Sequence, residues 1–420
     1  MNRRITWLAA IVAIALASPL PASAAPALRP GMIRSLEAMQ QRLANGDDTL
    51  AEDARRAAER LEGGNAADRW ARALFLQLAA TAEARQGNDA RAADLFATAR
   101  SIEGIEAQYL LRWLNQEARL RLRAGQTQAG AELLARWLEQ GQGGADDYWL
   151  LAQALAQLER WSQAARWVDR ARQATSSPSA RQLELASSVY QRAGREGEAL
   201  ESLDALLAAG GSDPAAWRRA AALAQRLGDP GRAAAIWEAG WRRGMFDSDE
   251  DLLQRIRLHL AGGTPARAAE YLSRALAEGR LDDSLQNARL LAQAWSAARH
   301  RDKALAAWRE VASRSGAAED WQRLGELAYA WGSWQTAIDA LREARRAGND
   351  AARNWLLEGV ALIELGRRDE ARHAFEAARQ AGAAEADAWL AILDGGSDGD
   401  SDGADNRDGA QSSSSAHTGA

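Results

Sequence analysis

The stretch Ala318–Gly348, AEDWQRLGELAYAWGSWQTAIDALREARRAG, carries two helix-period patterns separated by a break. Trp321, Leu324 and Ala328 fall at three- and four-residue spacing, which puts them on one face of a helix. Gly332 interrupts that pattern, since glycine is the usual residue at the left-handed position that ends a helix. Trp334 opens a second pattern, in which Ala337, Leu341 and Ala344 form the facing stripe. Gly325 and Ala337 are small where two antiparallel helices would cross closest, because a larger side chain would hold them apart. The stretch predicts a helical hairpin.

The same spacing recurs on both sides of it. Five alanines, Ala199, Ala233, Ala268, Ala337 and Ala371, have a large apolar residue sixteen positions earlier: Leu183, Trp217, Leu252, Trp321 and Trp355. Twelve positions earlier stands a small residue in most cases (Ser187, Ala221, Gly325, Gly359), although Ile256 breaks the rule. Four positions later comes another large apolar residue: Leu203, Trp237, Leu272, Leu341 and Phe375. Gly46, Gly87, Gly125, Gly194, Gly228, Gly263 and Gly366 occupy the turn position of Gly332. Units therefore begin near Ala73, Leu111, Ala145, Ala180, Pro214, Asp249, Leu285, Ala318 and Ala352, with steps of 33 to 38 residues between them. A weaker unit begins near Met32, and Ala386–Asp394, with Trp389 in phase, reads as a truncated closing helix. One hairpin cannot bury its apolar face alone, so each must lean on its neighbour.

A period of about 34 residues with this residue pattern resembles the tetratricopeptide repeat (TPR) superfamily over most of the chain. The resemblance implies an all-α fold: an α-solenoid of about nine to ten helical hairpins forming a right-handed superhelix over residues 25–394. It also implies a concave groove lined by the second, fifth, ninth and twelfth positions of each first helix. The fifth positions include Asn115, Trp149, Glu184, Arg218, Leu253, Arg289, Gln322 and Leu356. The ninth include Arg119, Gln153, Ser188, Ala222, Arg257, Gln293, Glu326 and Val360. From these, Arg119, Trp149, Gln153, Arg218, Arg257, Arg289, Gln293, Gln322 and Glu326 are the candidate partner-binding residues. Such a lining can hydrogen-bond extended backbone and carboxylates, with Trp149 as an aromatic anchor. The other repeat-position tryptophans, among seventeen in the chain, are expected in the core. One buried indole is worth roughly 4–6 kcal/mol before entropy, at ~25 cal/mol per Å². The lysine/asparagine clamp of chaperone-binding TPR domains is absent from the groove positions.

Residues 1–24 read as a secretory signal. Arg3 and Arg4 are followed by the short apolar run Ile5–Ala17 and by Ala22-Ser23-Ala24, a small-residue cleavage site. The run is too short to span a bilayer comfortably, so no stable membrane insertion is expected. The chain has no cysteine, which removes a lipoprotein anchor, disulfides and thiol chemistry. A leader of this kind on an arginine-rich chain suits a Gram-negative periplasm. With 52 basic and 57 acidic residues and Lys303 as the only lysine, nothing points to nucleic acid, which needs a clustered basic face. From Gly395 to Ala420 the chain contains no Leu, Ile, Val or aromatic residue, so residues 395–420 read as a disordered acidic Gly/Ser/Asp tail. Within it, Asp398-Gly399-Asp400-Ser401-Asp402-Gly403 matches the first half of a calcium loop, but Gly409 stands where the bidentate glutamate belongs. A solvated acidic tail is the reading.

No catalytic constellation emerges. His259, His300, His373 and His417 are isolated from metal-type ligand spacings. There is no glycine-rich phosphate loop and no nucleophile elbow. The expectation is a non-enzymatic protein without cofactor or metal.

Three stretches are similar to the secreted TPR proteins associated with TonB–ExbB–ExbD systems. They are Leu28-Arg29-Pro30-Gly31 leading into Ser35-Leu36-Glu37, then Gly263–Ala269 followed by Glu278-Gly279-Arg280-Leu281, then Leu290–Trp295. Pro265 has a structural reading as well, since a helix loses nothing by proline at its first position. The resemblance implies a scaffold for TonB-dependent uptake whose partners are TonB, ExbB or ExbD components. The alternative is a periplasmic scaffold for cell-wall or division assembly.

Overall fold

A computed structural model describes residues 26–395; the stretch expected as a leader (1–24) and, apart from Gly395, the stretch expected as an acidic tail (395–420) lie outside the described residues. Among the described residues the chain forms 21 helices and no strand. They fall into two compact units that meet in sequence at Gly211 and Ser212. The first holds α1 (Pro30–Ala44), α2 (Leu50–Glu59), α3 (Ala66–Arg85), α4 (Asp89–Arg100), α5 (Ala107–Arg123), α6 (Thr127–Glu139), α7 (Ala145–Gln157), α8 (Trp161–Ala174), α9 (Ala180–Arg192) and α10 (Glu196–Ala208). The second holds α11 (Pro214–Arg226), α12 (Pro230–Arg242), α13 (Asp249–Ala261), α14 (Pro265–Ala277), α15 (Leu285–Ala297), α16 (Arg301–Ser315), α17 (Ala318–Ala330), α18 (Trp334–Arg346), α19 (Ala352–Glu364), α20 (Arg368–Gln380) and α21 (Ala386–Gly395). Odd and even helices pair as hairpins, and within each unit successive hairpins lean on one another. The fold is an all-α solenoid of helical hairpins.

From Ala145 onward every expected start coincides with the first residue of an odd-numbered helix. The three earlier starts, Met32, Ala73 and Leu111, fall inside helices that begin at Pro30, Ala66 and Ala107. The register there is right at the turn glycines Gly87 and Gly125, but each first helix carries extra N-terminal residues. In α3 those residues are held by a capping box, in which Asn65 accepts from the Asp68 amide and Asp68 accepts from the Asn65 amide.

The turn and crossing residues behave as their chemistry requires. Gly332 has φ +68° and Gly87 φ +84°, left-handed values that glycine adopts freely. In two turns the same position is filled by a side-chain-bearing residue, Glu159 and Arg299, each at φ +56°. A Cβ on Gly325 would come within 2.7 Å of Leu341 Cγ, and one on Gly359 within 2.5 Å of the Phe375 ring. Ala199, Ala233, Ala268, Ala337 and Ala371 are all fully buried at the matching crossings.

Aromatic side chains fill the seams. Trp70, Tyr109 and Trp113 cluster in the first unit, with the Trp113 indole N–H donating to Gln77 at 3.0 Å. Trp237 stacks on Phe246 at 4.3 Å in the second unit. Phe375 stacks on Trp389 at 5.6 Å and seats the closing helix α21. Trp321 and Trp355, expected in the core, are only half-buried. Arg345 lies 3.5 Å from the centroid of the Trp355 ring and covers it.

Candidate functional site

Three of the four candidate arginines on the first helices are paired. Arg119 on α5 pairs with Asp147 on α7, Arg218 on α11 with Asp251 on α13, and Arg289 on α15 with Asp320 on α17. Each aspartate is the third residue of the next hairpin's first helix, and each is buried. Arg29 pairs in the same way with buried Asp68, the third residue of α3. The pattern is a ladder of arginine–aspartate rungs joining consecutive hairpins within a unit.

Local chemistry explains why aspartate stands there. In the first turn of a helix a carboxylate faces unpaired backbone N–H groups and the positive end of the helix dipole. Asp147 accepts from the Gly144 amide at 3.1 Å, and Asp251 accepts from the Ser248 hydroxyl at 2.9 Å. Burial alone would push the Asp320 carboxyl up, but the Arg289 guanidinium and the Ser315 hydroxyl together hold it below the usual aspartate range. Where asparagine replaces aspartate the rung becomes a backbone contact. Asn287 and Asn354 are buried at the same third position and donate to the carbonyls of Asp282 and Asn349, both at 2.9 Å. The fifth and ninth positions drew attention in the sequence; the third was missed. Its signal was the recurrence of Asp or Asn just inside a helix start.

Trp149 is a correction. Expected as an exposed anchor, it is only 5% exposed, and its indole N–H donates to Thr175 Oγ1 at 3.2 Å. A side chain of that size gains more from the seam between hairpins than from water, and Thr175 satisfies its one polar atom. The remaining candidates divide into two groups. Gln322 donates to Glu326 at 3.0 Å and accepts from Asn349, while Arg353 lies 3.3 Å from Glu326, so these residues form a network. Arg257 and Gln293 are exposed and Gln153 is half-buried, and none of the three has a polar side-chain partner among the described residues.

A second kind of contact locks hairpins from inside. Glu238, the ninth residue of α12, accepts from Arg255, the seventh of α13, at 2.7 and 2.9 Å. Glu358, the seventh residue of α19, accepts from Arg342, the ninth of α18, at 2.6 Å. The two pairs occupy the same repeat positions with the charges exchanged. Arg345 lies 2.5 Å from the other Glu358 oxygen. In the first unit, Glu117 is buried between Arg100 at 2.7 Å and Arg121 at 3.0 Å.

His259 completes the Glu238 cluster. Burial holds its imidazole below the ordinary histidine range despite the nearby carboxylate, so it is neutral at pH 7. Its Nε2 lies 3.2 Å from Glu238 Oε2 and its Nδ1 2.8 Å from Thr264 Oγ1. A neutral ring fits both contacts by donating from Nε2 and accepting at Nδ1. Burial works against ionisation of Glu238 too, but hydrogen bonds from Arg255 and His259 outweigh it and bring its pKa to about 2. No group of three or more potential metal ligands comes together among the described residues. No helix among them is long and apolar enough to cross a membrane.

No protein-family model matches the chain, and no curated protein matches it. Solved structures do. A tetratricopeptide repeat protein from Parabacteroides merdae shares 20% identity over 63% of this chain and 99% of its own, with a TM-score of 0.34. The C-terminal part of a TPR repeat-containing protein from Cytophaga hutchinsonii shares 13% identity over 66% of this chain and 94% of its own, with a TM-score of 0.35. A structure of MamA shares 22% identity over 39% of this chain and 95% of its own, with a TM-score of 0.31.

Proposed function

We propose that this chain is a protein–protein interaction scaffold that works in the periplasm as an accessory to TonB-dependent energy transduction and uptake. The observation that carries the interaction role is the division of labour on the first helices. Arg119, Arg218 and Arg289 are committed to neighbouring hairpins, which leaves Arg257 and Gln293 in the second unit, and Gln153 in the first, with unused hydrogen-bonding capacity. Spare donors and acceptors on the neighbouring first helices α13 (Arg257) and α15 (Gln293) suit the backbone groups and carboxylates of an extended partner segment. The periplasmic setting is supported by the leader-like sequence of residues 1–24, and the TonB setting by the three similar stretches named above. The partners would be periplasmic segments of TonB, ExbB or ExbD.

The test is a deletion strain grown under iron limitation, combined with crosslinking and recovery of partners from the periplasm. Impaired iron-limited growth with recovery of TonB-complex components is the expected result. Normal growth, with recovery of cell-wall or division proteins only, would transfer the reading to envelope assembly.

A further inference from the structure

The second unit carries an open cavity of about 840 Å³ between α16 and the start of α18. Both are second helices of their hairpins, so the cavity is separate from the candidate residues on the first helices. Arg299, Arg301 and Arg309 come from the α16 side, Ser333 and Thr336 from the α18 side, and Asp302 is the one carboxylate in the lining. None of the three guanidiniums meets a carboxylate among the described residues. Arg301 donates to Ser333 Oγ at 2.7 and 3.1 Å, and Arg309 donates to Thr336 Oγ1 at 3.4 Å. The Arg299 side chain has no polar partner among the described residues.

These contacts leave the cavity rich in unspent donors. A guanidinium has about five N–H donors, and each of these arginines commits only a minority of them. Both hydroxyls serve as acceptors here and donate to no protein group among the described residues, so their O–H protons remain available. Three guanidiniums against one carboxylate give a net charge of +2, with His300 counted neutral, in a chain of net charge −5. That balances a phosphoryl dianion, whose three acceptor oxygens can take donors from α16 and α18 at once. The donors also come as two pairs. Arg301 and Arg309 are two turns apart on α16, about 12 Å along its axis, and their hydroxyl partners are one turn apart at the start of α18, about 4.5 Å. A single oxyanion seated at one pair leaves the other unused, whereas linked phosphoryl groups can meet both.

We propose that this cavity binds a soluble ligand carrying two or more linked phosphoryl groups, held by Arg299, Arg301 and Arg309 and by the Ser333 and Thr336 hydroxyls. Charge complementarity, the surplus of donors and their arrangement in two pairs converge on that chemistry. The site is open to solvent, so binding weakens as salt shortens the Debye length.

Isothermal titration calorimetry of the full chain with phosphate, pyrophosphate and tripolyphosphate, in low salt and without divalent cations, tests this. Pyrophosphate and tripolyphosphate should saturate and should bind at least about 10-fold more tightly than phosphate, since each adds charge-assisted hydrogen bonds. Arg301→Ala/Arg309→Ala should weaken pyrophosphate binding at least about 10-fold, with unchanged far-ultraviolet circular dichroism. Should that variant lose helix, Ser333→Ala/Thr336→Ala removes only the hydroxyl donors and must weaken binding several-fold. Arg219 and Arg323 are exposed arginines outside the cavity, and Arg219→Ala/Arg323→Ala should leave binding unchanged. Absence of saturable heat overturns the proposal, and so does equal affinity for phosphate and pyrophosphate. Equal weakening by the Arg219/Arg323 pair also overturns it, since binding would then belong to an arginine-rich surface at large. Binding confined to phosphatidylcholine vesicles containing phosphatidic acid, with none to the soluble phosphates, overturns it in favour of a lipid headgroup.

Discussion

Arg218 on α11 grips both carboxylate oxygens of Asp251 on α13, at 3.1 and 3.0 Å, across a separation of 33 residues. It also lies 5.3 Å from the centroid of the Phe246 ring, in the connection between the two hairpins. A residue that looked like a recognition group is therefore a fastener. Arg257, at the ninth position of the neighbouring first helix, is exposed and has no such tie.

The pair makes an internal control. Arg218→Glu places a carboxylate against buried Asp251 and should lower stability by about 1–3 kcal/mol. Arg257→Glu should change it by no more than about 0.5 kcal/mol. Thermal unfolding of the two variants at matched ionic strength checks this, and equal melting temperatures would remove the ladder from the account. If the proposed binding face is right, only Arg257→Glu can be read as a binding variant.

The Glu238 cluster predicts an acid limit. Its carboxyl pKa lies at about 2 in the fold, against an ordinary value of 4.5, because Arg255 and His259 outweigh the cost of burial. A depressed folded-state value means that its contribution, roughly 3 kcal/mol, is present above pH about 4.5 and drains away as pH falls toward 2. His259 adds to the slope earlier. Its folded pKa is lowered, so the unfolded chain takes up the proton more readily, and stability declines as pH drops below about 6.5. Glu238→Gln should flatten the acid limb of a stability-versus-pH curve while costing stability at pH 7. An unchanged limb would show that the cluster contributes nothing at acid pH.

The repeat frame was legible because small residues, large apolar residues and turn glycines are tied to backbone geometry that only a few side chains satisfy. Gly325 against Leu341 and Ala371 at its crossing could be named from spacing alone. The face was less legible for an equally physical reason. Position in a repeat says which way Arg218 and Arg289 point, but whether a guanidinium meets water or a carboxylate depends on a residue some thirty positions away. Trp149 shows the same gap, since one threonine hydroxyl in the next connection turns an anchor into core. The extra N-terminal residues of α3 and α5 escaped because the period counts from the turn and is silent about how far a helix runs backward from it.

Close crossings predict intolerance to added volume. Ala371 is fully buried, and Gly359 faces the Phe375 ring closely enough that a Cβ would meet it at 2.5 Å. Ala371→Leu and Gly359→Ala should each destabilise the second unit, by about 1–3 kcal/mol, because the packed ring and helix must shift to admit new atoms. Urea unfolding followed by circular dichroism measures the loss. A variant as stable as the parent would mean that the two helices do not cross closest at these positions.

The turn between α7 and α8 predicts the opposite sign. Glu159 holds φ +56° where the turns of most other hairpins have glycine. A side-chain-bearing residue there pays roughly 1–2 kcal/mol for the contact between Cβ and backbone. Glycine removes that strain but adds about 0.5–1 kcal/mol of backbone entropy to the unfolded chain. Glu159→Gly should therefore stabilise the first unit by about 0.5–1 kcal/mol, and Gly87→Ala, at φ +84° in an equivalent turn, should destabilise it by about 1 kcal/mol. The Cβ of an alanine at position 87 would meet nothing within 4 Å, so any loss there comes from the backbone and not from packing. Measured together by denaturant unfolding, the two variants must move in opposite directions. A loss of stability in both would mean that Glu159 makes a contact worth more than the strain it carries.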